Sequence, residues 1–212
     1  APTGLVFNSN GTYSFDASSY DSLAQGSTGT VTATFTATDA QGGVSATRTL
    51  TINITGSNDA PVVTSTNFSV NEDASVSGSV SGSDVDGTIA SYQLVGAGPT
   101  GLTFNSDGSY SFDASSYDSL NAGQSTTGTF TFTATDNSGG ISNPRTVTIT
   151  INGVNDAPIA SNSTNSLNED DAINGSVSAT DEDGSVVSYQ LVGEAPTGLV
   201  FNSNGTYSFD AS

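Results

Sequence analysis

Carboxylates are the only reactive side chains this chain holds in quantity. It has 21 Asp and Glu against 2 cationic residues, Arg48 and Arg145, for a formal net charge of -19. Their placement matters more than their number. In one stretch they fall at Asp59, Glu72 and Asp73, Asp84 and Asp86, Asp118, and Asp136, and all but Asp113 lie where strands are expected to end or turn. Asp84-Val85-Asp86-Gly87 places two carboxylates on one side of an extended segment, and the glycine lets the chain curl around an ion. A hard cation such as calcium takes six to eight oxygens, gathered from several loops and from backbone carbonyls. Two plainer roles compete with ion binding. Acids at turns keep a long secreted chain soluble, and Asp and Asn form turns unaided.

The absent residues narrow the chemistry further. With no His, Cys or Lys, most nucleophilic and general-base arrangements cannot be built, and zinc sites of the usual kind are excluded. Disulfides and lysine-derived crosslinks are equally impossible. A chain this acidic repels nucleic acid and anionic membranes, and no stretch has the apolar length of a membrane span. Neither nucleic acid nor membrane insertion is therefore expected. Cations are expected, and oxygen-only ligands suit calcium.

The acids must be positioned by a repeated unit. Ala1 to Ser18 and Ala195 to Ser212 are the same string, APTGLVFNSNGTYSFDAS, and Gly98 to Ser115 is a close copy. An offset of 97 residues also relates Asn58-Asp59-Ala60-Pro61 to Asn155-Asp156-Ala157-Pro158, Glu72 to Glu169, Asp84 to Asp181, and Asp39 to Asp136. A period of that length is a domain, too long for a solenoid turn. Carboxylate pairs copied into every unit argue against a glycosidase or any other enzyme. The loops differ little between units, so they give no sign of a dedicated ligand-binding module.

Within the period, apolar and Thr residues alternate: Phe130, Phe132 and Ala134, then Val147, Ile149 and Ile151. Such alternation puts one strand face in a core and the other in water. Asp136-Asn137-Ser138-Gly139-Gly140 joins these two runs as a hairpin. Asn105-Ser106-Asp107-Gly108 joins another, Leu102–Phe104 with Tyr110–Phe112. Further strands are expected at Phe68–Val70, Val76–Val80 and Ile89–Val95. About seven short strands per period is the count of an immunoglobulin-like sandwich. Phe104, Tyr110, Phe112, Phe130 and Phe132 are expected in its core rather than on a carbohydrate-binding platform.

Over essentially the whole repeat the pattern resembles the cadherin-like domain. The segment Ala179-Thr180-Asp181-Glu182-Asp183-Gly184 with Ser188-Tyr189, the strand Phe132 to Asp136, and Thr148 to Ile151 leading into Asn155-Asp156-Ala157-Pro158 carry the likeness. It is similar in particular to VCBS-type and cadherin-like repeats of large secreted bacterial adhesins of the RTX type, exported by type I systems. The resemblance implies an all-β fold of tandem immunoglobulin-like (cadherin-like) β-sandwich domains in an elongated array. It also implies an extracellular, bacterial cell-surface location and calcium at the junctions between domains.

Carried over residue by residue, the junction at Asn58 would use Asp21 or Asp39, Asn58, Asp59, Asp84, Asp86 and Asp136, together with Glu72. The junction at Asn155 would use Asp118, Asn155, Asp156, Asp181 and Asp183, with Glu169 in the place of Glu72. The position two before the linker Asn is Gly56 or Gly153 where the animal linker has Asp, and the animal linker's second Asn is Ala60 or Ala157. Fewer ligands imply one or two ions per junction.

This phasing divides the chain into residues 1–57, the C-terminal part of one repeat; 58–154, a complete repeat; and 155–212, the N-terminal part of the next. A phase starting near Ala1 is the alternative. Residues 155–194 together with residues 1–57 amount to one full period. The expected object is therefore a fibre, either a window on a longer array or copies that complete each other end to end without calcium. Its expected partners are neighbouring repeats or further copies of itself, with any cell-surface or host ligand met through other regions.

Overall fold

A computed structural model describes residues 1–211, and among them nearly all regular structure is strand. The first segment carries β1 (Leu5–Phe7), β2 (Tyr13–Phe15), β3 (Thr28–Phe35) and β4 (Arg48–Thr55). The central repeat carries β5 (Val62–Thr64), β6 (Phe68–Asn71), β7 (Ser75–Ser79), β8 (Ser81–Ser83), β9 (Ile89–Leu94), β10 (Leu102–Phe104), β11 (Ser109–Asp113), β12 (Ser125–Asp136) and β13 (Arg145–Asn152). The last segment carries β14 (Ile159–Ala160), β15 (Ala172–Ser176), β16 (Ala179–Thr180), β17 (Leu199–Phe201) and β18 (Thr206–Asp210). No helix among the described residues is long and apolar enough to cross a membrane.

The central repeat is built from a four-stranded sheet in the order β6-β13-β12-β9 and a three-stranded sheet in the order β10-β11-β7. Thr/apolar alternation makes β12 and β13 central strands. Along each, buried residues alternate with half-buried threonines. The Asp107-Gly108 turn forms as its sequence predicts, with Gly108 at a φ of 86°. The fold is all-β, of tandem immunoglobulin-type β-sandwich domains, as the strand count implied.

Packing groups the residues into two compact units. The first comprises Ala1–Asn67, Ser77–Ser111 and Thr129–Thr148; the second comprises Phe68–Val76, Phe112–Gly128 and the chain from Ile149 onward. In the first, Phe130 and Phe132 are buried and tilt against one another at 6.4 Å between ring centres. Phe104 and Tyr110 lie against Phe130 at 5.8 and 5.5 Å, and Tyr92 against Phe132 at 6.3 Å. In the second, buried Phe112 meets Tyr117, and Ile149 and Ile151 are buried where β13 runs parallel to β6. The expected core aromatics are all in place, with Phe104 and Tyr110 half-buried.

The repeat offset supplies an internal control on burial. Phe132 is 0% exposed, whereas its counterpart Phe35 on β3 is 39% exposed. Removing a fully buried phenylalanine costs about 3–5 kcal/mol, and a part-exposed one far less. Phe132→Ala is therefore expected to lower the urea midpoint steeply, and Phe35→Ala only slightly; equal losses would contradict the burial difference.

Candidate metal centre

Both linkers end up surrounded by carboxylates, and each cluster lies inside one compact unit. The first is gathered by three turns. The amide of Asn58 donates to Asp136 Oδ2 at 2.9 Å, tying the linker to the hairpin between β12 and β13. Asp136 is 3% exposed, and its Oδ1 accepts from the N–H groups of Ser138 (2.7 Å) and Gly140 (2.9 Å) of its own turn. The N–H of Asp59 donates to Asp86 Oδ1 at 3.3 Å, and the N–H of Asp86 to Asp84 Oδ1 at 3.1 Å. Asp21 and Asp59 line a shared cleft.

The second cluster repeats this geometry. The N–H of Asp156 donates to Asp183 Oδ1 at 3.3 Å. Asp118, Asp156 and Glu182 line a cleft of about 240 Å³, room for an ion with several waters, since a water occupies roughly 30 Å³ in the liquid. The side-chain amide of Asn121 donates to the Asp183 carbonyl. Beneath the linker sits Glu72, 0% exposed, whose carboxylate accepts from the N–H of Val154 at 2.8 Å and of Leu120 at 3.0 Å. Gly153 passes so close to the carbonyls of Leu120 and Asn121 that no Cβ fits there.

Glu72 corrects the expected grouping. The sequence places it with Asn58, but the parallel β6–β13 pairing carries it to the other end of its own repeat, beside Val154. Glu169, its counterpart, is exposed and makes no hydrogen bond among the described residues, so it is not brought to Asn155. Asp39 is likewise not gathered at Asn58. It caps its own hairpin, accepting from the N–H groups of Gln41 and Gly43. Asn155 turns to the carbonyl of Asp156. Two acids outside the expected ligand sets, Asp73 and Glu182, stand in the second cluster. Their adjacency to Glu72 and Asp181 was the available signal.

The electrostatics are those of charges without counter-charges. Burial pushes the Asp118 and Asp156 carboxyls above the ordinary Asp value, reinforced in both by the carboxylates of Asp73 and Glu72. Burial likewise raises Asp86, with Asp84 and Asp59 adding to it. Asp136 is lowered, chiefly by the Asn58 amide and then by the N–H groups of its turn. Among the described residues five buried carboxylate oxygens have no hydrogen-bond donor: one each on Asp84 and Asp86 in the first cluster, and on Asp118, Asp156 and Asp181 in the second. Among the described residues no three carboxylates stand close enough to form a closed cage. The donor set nonetheless fits a hard oxygen-seeking cation: the orphaned atoms are all carboxylate oxygens, carried by acids of both clusters.

Comparison with known proteins agrees with this architecture. Residues 58–153 match the bacterial cadherin-like domain, and residues 155–212 match the bacterial Ig domain. These matches make residues 58–153 a bacterial cadherin-like domain, followed by a segment of the bacterial Ig type, in keeping with the immunoglobulin-type fold. Such domains are extracellular structural or adhesion modules. Among solved structures the chain is similar to mouse protocadherin-24 EC1-3, at 19% identity and a TM-score of 0.47, over 99% of this chain and 74% of that one. It is also similar to Drosophila N-cadherin EC1-4, at 15% identity and a TM-score of 0.43, over 97% of this chain and 55% of that one. No curated protein matches the chain.

Two measurements follow. Glu72→Gln leaves one buried N–H facing an amide NH₂ instead of an oxygen, and should destabilise the fold by about 1–3 kcal/mol in urea melts; an unchanged midpoint would refute a structural role for the two hydrogen bonds to Glu72. In metal-free buffer, Asp118 and Asp156 take up protons more readily folded than unfolded. Their effect is a loss of stability as pH rises through the ordinary Asp value and past it. Asp136 works in the opposite sense, losing its contribution as pH falls below that value. Asp118→Asn should therefore gain stability relative to wild type as pH climbs from 3.8 upward, and a constant difference would deny the repulsion.

Proposed function

We propose that the chain is an extender, or stalk segment, of a bacterial surface adhesin or extracellular filament, and that calcium at the linkers stiffens it. The working units are residues 1–57, 58–154 and 155–212, the outer two being parts of repeats. The observation that carries the reading is the set of orphaned carboxylate oxygens buried at both linkers. Bound calcium would supply the missing positive charge. At the first linker Asp21, Asp59, Asp84 and Asp86 would hold it, with Asn58 and Asp136 fixing the turn. At the second, Asp118, Asp156, Asp181 and Asp183 would hold it, with Glu72, Asp73 and Glu182 adding charge.

Each linker draws its acids from the elements before and after it, so an ion there would restrain the joint as well as cancel repulsion. Near-identity between repeats fits a spacer, which needs length more than a unique site. The bacterial family matches and the Asn-Asp-Ala-Pro and Asp-x-Asp-Gly motifs support placement in a large secreted adhesin.

Thermal unfolding in calcium, in chelator and in sodium chloride of matched ionic strength tests this reading. Extracellular modules bind calcium with Kd on the order of 10⁻⁴–10⁻³ M. About 10 mM calcium should then add roughly 1.4–2.7 kcal/mol per site. A rise in Tm of several degrees with calcium is expected, reduced by Asp156→Asn with Asp183→Asn and abolished when Asp59→Asn and Asp86→Asn are added, together with a stiffer small-angle scattering profile. If sodium chloride reproduced the whole effect, the acids would be a solvated surface only.

A further inference from the structure

The turn that carries Asp84 and Asp86 leads into β9, and a side chain from the hairpin opposite finishes the ladder there. β9 pairs with β12 from Leu94 opposite Phe132 to Ser91 opposite Thr135; the register then slips, so that Asp136 faces Ile89 and Ala90 is left over. Such a bulge ends regular pairing and re-aims the side chains around it. Just beyond it, Asn137 meets both backbone groups of Thr88. Its N–H donates to the Thr88 carbonyl at 3.0 Å, and its side-chain Oδ1 accepts from the Thr88 N–H at 2.8 Å. The Thr88 hydroxyl donates to the same oxygen at 3.4 Å. A side chain thus supplies the acceptor that the ladder lacks past its last rung.

This rung ties the carboxylate turn to the hairpin. A Cβ on Gly87 would lie 2.5 Å from Asn137 Oδ1 and 3.2 Å from Asp84 Oδ1, so only glycine allows the close approach. Asn137 follows Asp136, which holds the Asn58 amide, and Thr88 follows the turn whose Asp86 holds the Asp59 N–H. The hairpin therefore grips the linker through Asp136 and the carboxylate turn through Asn137, all within one compact unit. Asn137 is exposed and uncharged, and its Oδ1 already has two donors, so it is no ligand itself. The preceding hairpin keeps the Asp, Gly, Gly frame of this one but has Ala40 at the same place, without an acceptor.

We propose that Asn137 is the positioning residue of the first linker: by fixing Thr88 it holds the Asp84–Asp86 turn where the linker meets it, and so sets the affinity of that linker for calcium. This role rests on calcium binding at the linkers and names the neutral residue that prepares one of them. A cation that gathers carboxylates from a loose turn must order the turn as it binds, and a turn already latched has less freedom to lose. Residues that orient ligands from behind govern about 10- to 100-fold in metal affinity. Water competes for an exposed latch of one residue, which places Asn137 at the lower end. A repeat with alanine there, as at Ala40, lacks the latch, so joints of unlike strength can be written into near-identical repeats.

A calcium chloride titration followed by nuclear magnetic resonance reads the two linkers separately in one sample, because the amides of Gly87 and Gly184 sit in the two Asp-x-Asp-Gly turns. Asn137→Ala, which copies Ala40, is expected to raise the calcium Kd read at Gly87 about tenfold and to leave that read at Gly184 unchanged. Asn137→Asp keeps an acceptor oxygen and should restore the affinity. The same charge placed one residue along, by Ser138→Asp in the Asn137→Ala chain, should not. In chelator, the Thr88 amide of Asn137→Ala should exchange with deuterium several-fold faster than that of the unaltered chain. An unchanged Kd at Gly87, an equal loss at Gly184, or full restoration by Ser138→Asp overturns the inference. If neither glycine amide moves with calcium in the unaltered chain, the calcium reading fails and takes this role with it. Unchanged Thr88 exchange alongside normal calcium binding refutes the latch alone.

Discussion

The parallel ladder between β6 and β13 is the constraint on which the central repeat and its second linker depend. It pairs Ile149 with Phe68 and Ile151 with Val70, burying one face of β13. It continues beyond Asn71, where the N–H of Glu72 donates to the carbonyl of Asn152 at 3.1 Å. That last bond delivers a fully buried carboxylate to the point where β13 becomes linker. There Glu72 takes the N–H of Val154 and shares that of Leu120 with the carbonyl of Tyr117. Where the ladder is lacking, as along β4, the counterparts Ile52 and Ile54 are only half-buried.

On this base the acids are held by backbone rather than by counter-ions. Asp59 and Asp156 each give an N–H to the second carboxylate of the Asp-x-Asp-Gly turn that follows, at the same 3.3 Å. The same bond in both linkers shows that the loop geometry follows the 97-residue repeat and not its surroundings. In Asp84 and Asp86 a backbone donor occupies one carboxylate oxygen and leaves the other bare. The result is local order obtained at the cost of repulsion, a state suited to a cation that arrives from solution.

Much of this was legible in the residues. The Thr/apolar alternation set β12 and β13, and Asp-Gly set the β10–β11 turn. The offset made each turn acid recognisable in both copies. The small strand β5 and the break between β7 and β8 were not legible, because Ser- and Gly-rich stretches carry no strong alternation. Glu72 was misplaced for a definite reason. Proximity in sequence favours Asn58, and only the parallel direction of β6 against β13 sends the side chain to the opposite end. Asp73 and Glu182 were passed over because their role is electrostatic and shows in no spacing rule.

The same ladder has a mechanical meaning. In a parallel pair, tension entering at the start of β6 and leaving at the end of β13 pulls the two strands in opposite directions along their common axis. The bonds between Phe68–Asn71 and Ile149–Asn152 then bear the load together, in shear, instead of opening one after another as in a peeled hairpin. In the central repeat β5 ahead of this ladder pairs with β8 over only Val62–Thr64, so the β6–β13 patch is where a pull across the repeat meets shear.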